Sequence, residues 1–177
     1  MDIQPTIIEL EAHFDALHTA IYKYFYLRGF DPEAAADLTA TVFESSLQTR
    51  HGYDPRKASL KTWLFTIAHN LAINQWKSRQ NQGQVSIDEA GELRARDALP
   101  EDRLVHGDEQ RELLQALQTL DERAREVVSL KFSARLNNRE IAALVGISAS
   151  NVGVILYRAL KQVRVSLMKG QSEENHE

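Results

Sequence analysis

Asn137-Asn138-Arg139-Glu140-Ile141-Ala142-Ala143-Leu144-Val145-Gly146-Ile147-Ser148-Ala149-Ser150-Asn151-Val152 carries the punctuation of two closely coupled helices. Asn137 stands where an N-cap would, and Glu140, three residues on, can reach back to its amide in a capping box. Ile141, Ala142, Leu144 and Val145 supply an inward face. Gly146-Ile147-Ser148 reads as a tight turn, with glycine for a positive φ and Ser148 as the next N-cap. The following helix runs to about Lys169, with Val152, Leu156, Ala159, Val163 and Leu167 recurring on one side. Helix, three-residue turn, helix is the helix-turn-helix pattern, whose second helix offers its first turns to a major groove. Ala142 is small where the two helices approach closely. Ser148 heads the second helix, and a helical wheel puts Ser150, Asn151, Tyr157, Arg158 and Lys161 on its outer face. Serine and asparagine can bond base edges or phosphates, whereas arginine and lysine mainly hold the backbone. The competing readings are a solvated face for Arg158 and Lys161, and packing against a neighbouring helix for Tyr157.

Outward from this motif the pattern stays helical. Glycine and proline are scarce, 8 and 4 in 177 residues, and apolar residues recur at helical spacing almost throughout, so the chain reads as all-α. Ile7, Leu10, Phe14, Leu17, Ile21 and Tyr24 form one stripe of a helix from about Thr6 to Leu27, which Gly29 would end in the left-handed conformation. Asp31-Pro32-Glu33 reads as N-cap, proline at the first helical position and acidic first turn of a helix to about Leu47. Gln48 to Ser59 is a loop, and a helix from about Leu60 to Arg79 follows. Composition then shifts to Gln, Gly, Asp and Glu, and helical pattern resumes at about Glu101. The expected organisation is a helical domain over 1–80, a flexible acidic linker over 81–102, the helix-turn-helix domain over 103–170 and a disordered tail over 171–177.

The Leu60 to Arg79 helix is the second informative stretch. Leu60, Leu64, Ile67 and Leu71 form its expected core stripe, with Trp63 at the edge. Asn70, Asn74 and Lys77 lie on a polar flank with Thr66, and Arg56, Lys57 and Lys61 precede or open the helix. The far side carries Thr62, Phe65, His69, Ile73 and Trp76, unusually aromatic for a solvent face. Cations interleaved with amides and aromatics suit single-stranded nucleic acid, in which bases stack or hydrogen-bond while the backbone follows the positive charge. The alternative for Phe65 and Trp76 is packing against the first helix or a partner protein.

Charge is distributed in the same pattern. The net charge is −4, yet residues 51–80 and 136–169 each carry +4, while residues 1–50, 81–135 and 170–177 carry −5, −4 and −3. Two compact basic segments alternate with acidic ones. There is no cysteine, which excludes disulfides and thiolate chemistry. No glycine-rich phosphate loop, metal-ligand cluster or nucleophile–base pair is present, so neither catalysis nor a cofactor is expected. No run approaches the roughly 20 apolar residues of a membrane span, and the start lacks a basic region followed by an apolar stretch. A soluble cytoplasmic protein is the expectation.

Trp63-Leu64-Phe65-Thr66-Ile67-Ala68-His69-Asn70, following Ala36-Asp37-Leu38 through Phe43, resembles conserved region two of bacterial RNA polymerase sigma factors. Arg139-Glu140-Ile141-Ala142 through Gly146-Ile147-Ser148, with Asn151 through Leu160, resembles their region four. Two motifs in this order, with only a linker between them, are similar to the extracytoplasmic-function group. The resemblance covers roughly residues 10–168 and implies that the protein directs promoter-specific initiation. The Asp31 to Leu47 helix would dock on core RNA polymerase through Asp37, Leu38, Phe43 and Glu44. Arg56, Lys57, Lys61, Asn70, Asn74 and Lys77 would capture the melted minus-ten element. The recognition helix, with Ser148, Ser150, Asn151, Tyr157, Arg158 and Lys161, would enter the minus-thirty-five groove. An anti-sigma protein is the further partner implied. Three departures stand out. The acidic pattern of the docking helix is thinned to Ala36-Asp37 and Ala40-Thr41. Asn74 and Lys77 stand where many members carry Asp and Arg, and Asn151, Gly153 and Ile155 replace a commoner Thr, Lys and Arg. Two other readings compete: a helix-turn-helix regulator that binds duplex without polymerase, and a sigma-like adaptor that has lost promoter activity.

Overall fold

The computed structural model describes residues 10–81 and 107–174, and among these the chain is helical with no strand. The N-terminal unit consists of α1 (Phe14–Leu27), α2 (Pro32–Thr49), a 3-10 turn (Arg50–Gly52) and α3 (Leu60–Asn81). The C-terminal unit consists of α4 (Gly107–Gln118), α5 (Glu122–Ser133), α6 (Asn138–Val145) and α7 (Ala149–Glu174). The expected linker falls almost wholly outside the described residues. Helix α7 continues through Glu174, into the segment expected to be unstructured.

Local chemistry sets most boundaries. Gly29 takes φ +95° after α1. The Asp31 carboxylate then accepts from the Ala34 amide at 2.8 Å, with Pro32 opening α2. Asp121 caps α5 in the same way through the Ala124 amide, again at 2.8 Å. In the core of the N-terminal unit, Ile21 and Phe25 of α1 meet Val42 of α2, and Leu64, Ala68 and Ala72 of α3. Thr39 and Ser46 are buried there without penalty, because each hydroxyl donates to a carbonyl of its own helix, Ala35 and Phe43, both at 2.7 Å.

The core stripe of α3 is rotated from its expected position. Leu60 and Leu64 are buried as expected, but Phe65, Ala68 and Ala72 complete the stripe, while Ile67 and Leu71 are only half-buried. Phe65 sits edge-on to Tyr24 at 5.6 Å, and Trp76 packs on Phe30 at 5.8 Å. The aromatic far side of α3 therefore packs inside the protein. Phe14, expected on the buried stripe of α1, is 42% exposed and lies over Phe43 at 4.8 Å.

The two units pack against each other, chiefly through α1 and α3 of the first and α5 and α6 of the second, and their apolar cores are continuous. Polar groups mark this junction. Glu126 of α5 is 4% exposed and reaches into the N-terminal unit. Its Oε1 accepts from the Tyr24 hydroxyl at 2.8 Å and lies 2.9 Å from Nδ1 of His69 on α3. Its Oε2 pairs with Nη1 of Arg28, itself 2% exposed. Burial, and then the neighbouring Glu126 charge, push the Tyr24 hydroxyl well above its usual pKa, which keeps it a donor. Nearby, the Thr62 hydroxyl at the start of α3 donates to Glu140 of α6 at 3.2 Å.

Candidate nucleic-acid interface

The helix-turn-helix follows its sequence signals closely. The Asn137 side chain accepts from the amides of Arg139 and Glu140 at 2.9 and 3.0 Å. The Glu140 carboxylate accepts from the Asn137 amide at 2.8 Å, completing the capping box. Gly146 adopts φ +73° in the turn, and Ser148 Oγ accepts from the Asn151 amide at 3.2 Å. The chain bends by 101° between α6 and α7, within the range of helix-turn-helix crossings. Val152, Leu156, Ala159 and Val163 bury the inner face of α7. Ser148, Ser150, Asn151, Arg158 and Lys161 are all exposed. Tyr157 is 71% exposed, so it does not pack against a neighbouring helix.

Ser148 also holds the head of α7 in place, and its hydroxyl lies 3.1 Å from that of Ser150. Any DNA contact made by this pair would compete with the cap. Gly153 lies inside α7, where a Cβ would meet only Asn138 Nδ2 at 3.7 Å, an ordinary contact. Gly153→Ala is therefore expected to stabilise the protein by about 0.5–1 kcal/mol, through helix propensity and lower unfolded-state entropy. Urea denaturation followed by circular dichroism would measure it.

The N-terminal candidates form two groups. Asn70, Asn74 and Lys77 are exposed along one flank of α3, in a row about 10 Å long from the helical rise. Arg56 and Lys57 are exposed in the preceding loop, and Lys61 is half-buried in the first turn. This loop is built rather than slack. Ser59 caps α3 by accepting from the Thr62 amide at 3.1 Å, and Tyr53 packs on Trp63 with ring centres 5.0 Å apart. Arg56 is already paired: Asp54 accepts from its Nε at 3.0 Å, its Nη2 at 3.1 Å and its backbone amide at 3.0 Å. These bonds, the side-chain ones foremost, hold the Asp54 carboxyl below its usual pKa. Arg56 would have to exchange this partner to bind a phosphate.

The polymerase-docking candidates do not all present themselves. Asp37 and Glu44 are exposed on α2 and Leu38 is half-buried. Phe43 is a correction: it is buried, packed on Phe14 and stacked on His18 at 5.8 Å, and so belongs to the core rather than to an available surface. Residue-by-residue reading misses Arg28 and Glu126 altogether. The available signals are a carboxylate between Ala124 and Val127 on an apolar stripe, and an arginine closing an apolar helix.

Helices throughout the described residues, with a helix-turn-helix whose two helices both carry side-chain N-caps, define the class, a DNA-binding architecture. Residues 11–82 match the family model for Sigma-70 region 2, and residues 110–163 match Sigma-70 region 4. The chain is 30% identical over 134 residues to the ECF RNA polymerase sigma factor RpoE of Cereibacter sphaeroides, covering 75% of this chain and 69% of that protein. It is 29% identical to RNA polymerase sigma factor YlaC of Bacillus subtilis, covering 93% of this chain and 95% of that protein. With ECF sigma factor BldN of Streptomyces coelicolor the identity is 27%, over 84% of this chain but only 56% of BldN. Among solved structures, the sigma factor RpoE of Bartonella quintana, in complex with the anti-sigma factor NepR, superposes with a TM-score of 0.73 at 20% identity, covering 90% of this chain and 97% of that one. The protein belongs to the extracytoplasmic-function group of RNA polymerase sigma factors. No single helix among the described residues is long and apolar enough to cross a membrane.

Proposed function

We propose that this protein binds core RNA polymerase and directs it to promoters. The observation that carries the reading is the pairing, in family order, of two surfaces on one chain: the exposed Asn70–Asn74–Lys77 row and the outward face of α7. The row offers amides and a cation to melted bases and their phosphates, and the α7 face offers serine, asparagine and cations to a duplex groove. Asp37, Leu38 and Glu44 of α2 are the proposed polymerase contacts. The remaining partner is an anti-sigma protein, the kind with which the Bartonella relative was crystallised. In this reading the polymerase supplies all the chemistry, this chain supplies recognition, and both work in the cytoplasm.

Run-off transcription with bacterial core polymerase on a genomic promoter pool tests the reading. Discrete transcripts that require the protein support it, and their aligned upstream sequences give both promoter elements. Silence with a matched polymerase overturns it. Within the same assay, Asn74→Ala is expected to reduce open-complex formation about tenfold, by removing one base or phosphate contact, while leaving upstream duplex binding intact. Permanganate footprinting of unpaired thymines measures the opening step directly. Unchanged reactivity would remove Asn74 from the strand-capturing set.

A further inference from the structure

We propose that Tyr24, Arg28 and His69 form a carboxylate socket on the N-terminal unit, and that Glu126 in this socket holds the chain closed until polymerase opens it. Three side chains of one unit converge on a single carboxylate of the other. Arg28 is further held by Glu122 of α5, with its Nη2 3.6 Å from the Glu122 carboxylate and its Nη1 3.4 Å from the Glu122 carbonyl. A dry ionic cluster is a poor way to make a permanent interface, because apolar residues of similar volume serve as well or better. It is a good way to make a specific one that can be undone. Only one register places Glu126 among its three partners, and on separation every member regains water.

The closed arrangement cannot serve both promoter elements at once, a point that rests on the sigma-factor reading, whereas the socket itself does not. Thr62 touches Glu140, and Asn74 lies about 18 Å further along α3. Adding the reach from Glu140 through the turn to Asn151 puts the two recognition surfaces at most about 55 Å apart. Elements about 25 base pairs apart along B-DNA are separated by about 85 Å. The units have to part before both elements can be held, and parting them empties the socket.

The chain has no cysteine, so introduced ones can be labelled uniquely. Gln48→Cys on α2 and Ala143→Cys on α6 place spin labels at exposed sites, one on each unit. Pulsed electron resonance on the free protein is expected to give one short, narrow distance distribution. Glu126→Gln keeps the shape but removes the charge facing Arg28, and is expected to raise the long-distance fraction about tenfold or more. Tyr24→Phe removes one hydroxyl and is expected to shift the distribution the same way by less. It carries the test if circular dichroism shows Glu126→Gln misfolded. Distributions that stay short in folded variants would overturn the socket. Adding core polymerase to the labelled wild type is expected to lengthen the distance, and a short distance on polymerase would refute the need for opening. Absence of run-off transcription, with the variants still opening, would refute the sigma-factor reading and leave the socket standing.

Discussion

Arg158→Glu combined with Lys161→Glu is expected to lower affinity for the upstream promoter duplex about a hundredfold at low salt. Both side chains are exposed on α7 and form no ion pair within the described residues, so their charges are free for phosphates. Each phosphate contact contributes about 0.9 to the slope of log affinity against log salt, so losing two should flatten that slope by about 2. The slope is the discriminating measurement. A structural defect would weaken binding at all salt concentrations, whereas lost phosphate contacts weaken it most where salt is low. Fluorescence anisotropy of the polymerase-bound protein on a labelled duplex, titrated with salt, reads both quantities. A wild-type slope in the double variant would mean that this face of α7 does not meet the DNA backbone.

Phe65→Ala is expected to destabilise the N-terminal unit by about 3–5 kcal/mol, the usual loss for a buried aromatic ring. Phe65 is fully buried and presents its ring to Tyr24, so truncation leaves a cavity at the centre of the helical packing. That is a fall in melting temperature of at least about 6 °C when both units melt as one body, and about twice that when the N-terminal unit melts alone. Had Phe65 faced melted bases instead, its loss would weaken DNA binding and leave the melting temperature almost unchanged. Calorimetry on the free protein separates the two. A shift of only a degree or two would contradict the buried placement.

The sequence is most legible where structure is set by neighbours in the chain. The Asn137 capping box, the left-handed Gly29 and Gly146, and the Asp31-Pro32 start of α2 are each closed by groups a few residues apart. Local sterics and local hydrogen bonds suffice to write them down in advance. The face of a helix that becomes core is a weaker inference when apolar residues surround it. On α3, Leu60, Phe65, Ile67, Leu71 and Trp76 allow two stripes, and the packing of Tyr24 and Phe30 selects the one centred on Phe65 and Ala68. Resemblance assigns Phe43 to docking, yet Phe14 and His18 cover it. The contact between units leaves only a partial local trace: a carboxylate on an apolar stripe and an arginine closing an apolar helix ask for partners without naming them. Tyr24 and Glu126 are 102 positions apart, and neither one's surroundings in the sequence names the other.

Both tryptophans of the chain lie on α3, Trp63 against Tyr53 and Trp76 against Phe30. Indole emission is therefore a one-sided reporter, sensitive to the N-terminal unit and nearly blind to the helix-turn-helix, whereas far-ultraviolet ellipticity samples every helix. Heating the protein while recording both signals would show whether the units melt together. Coincident curves would mean that the shared core makes one cooperative body of the whole chain. An ellipticity change that preceded or outlasted the emission change would isolate the unfolding of the tryptophan-free half without any label.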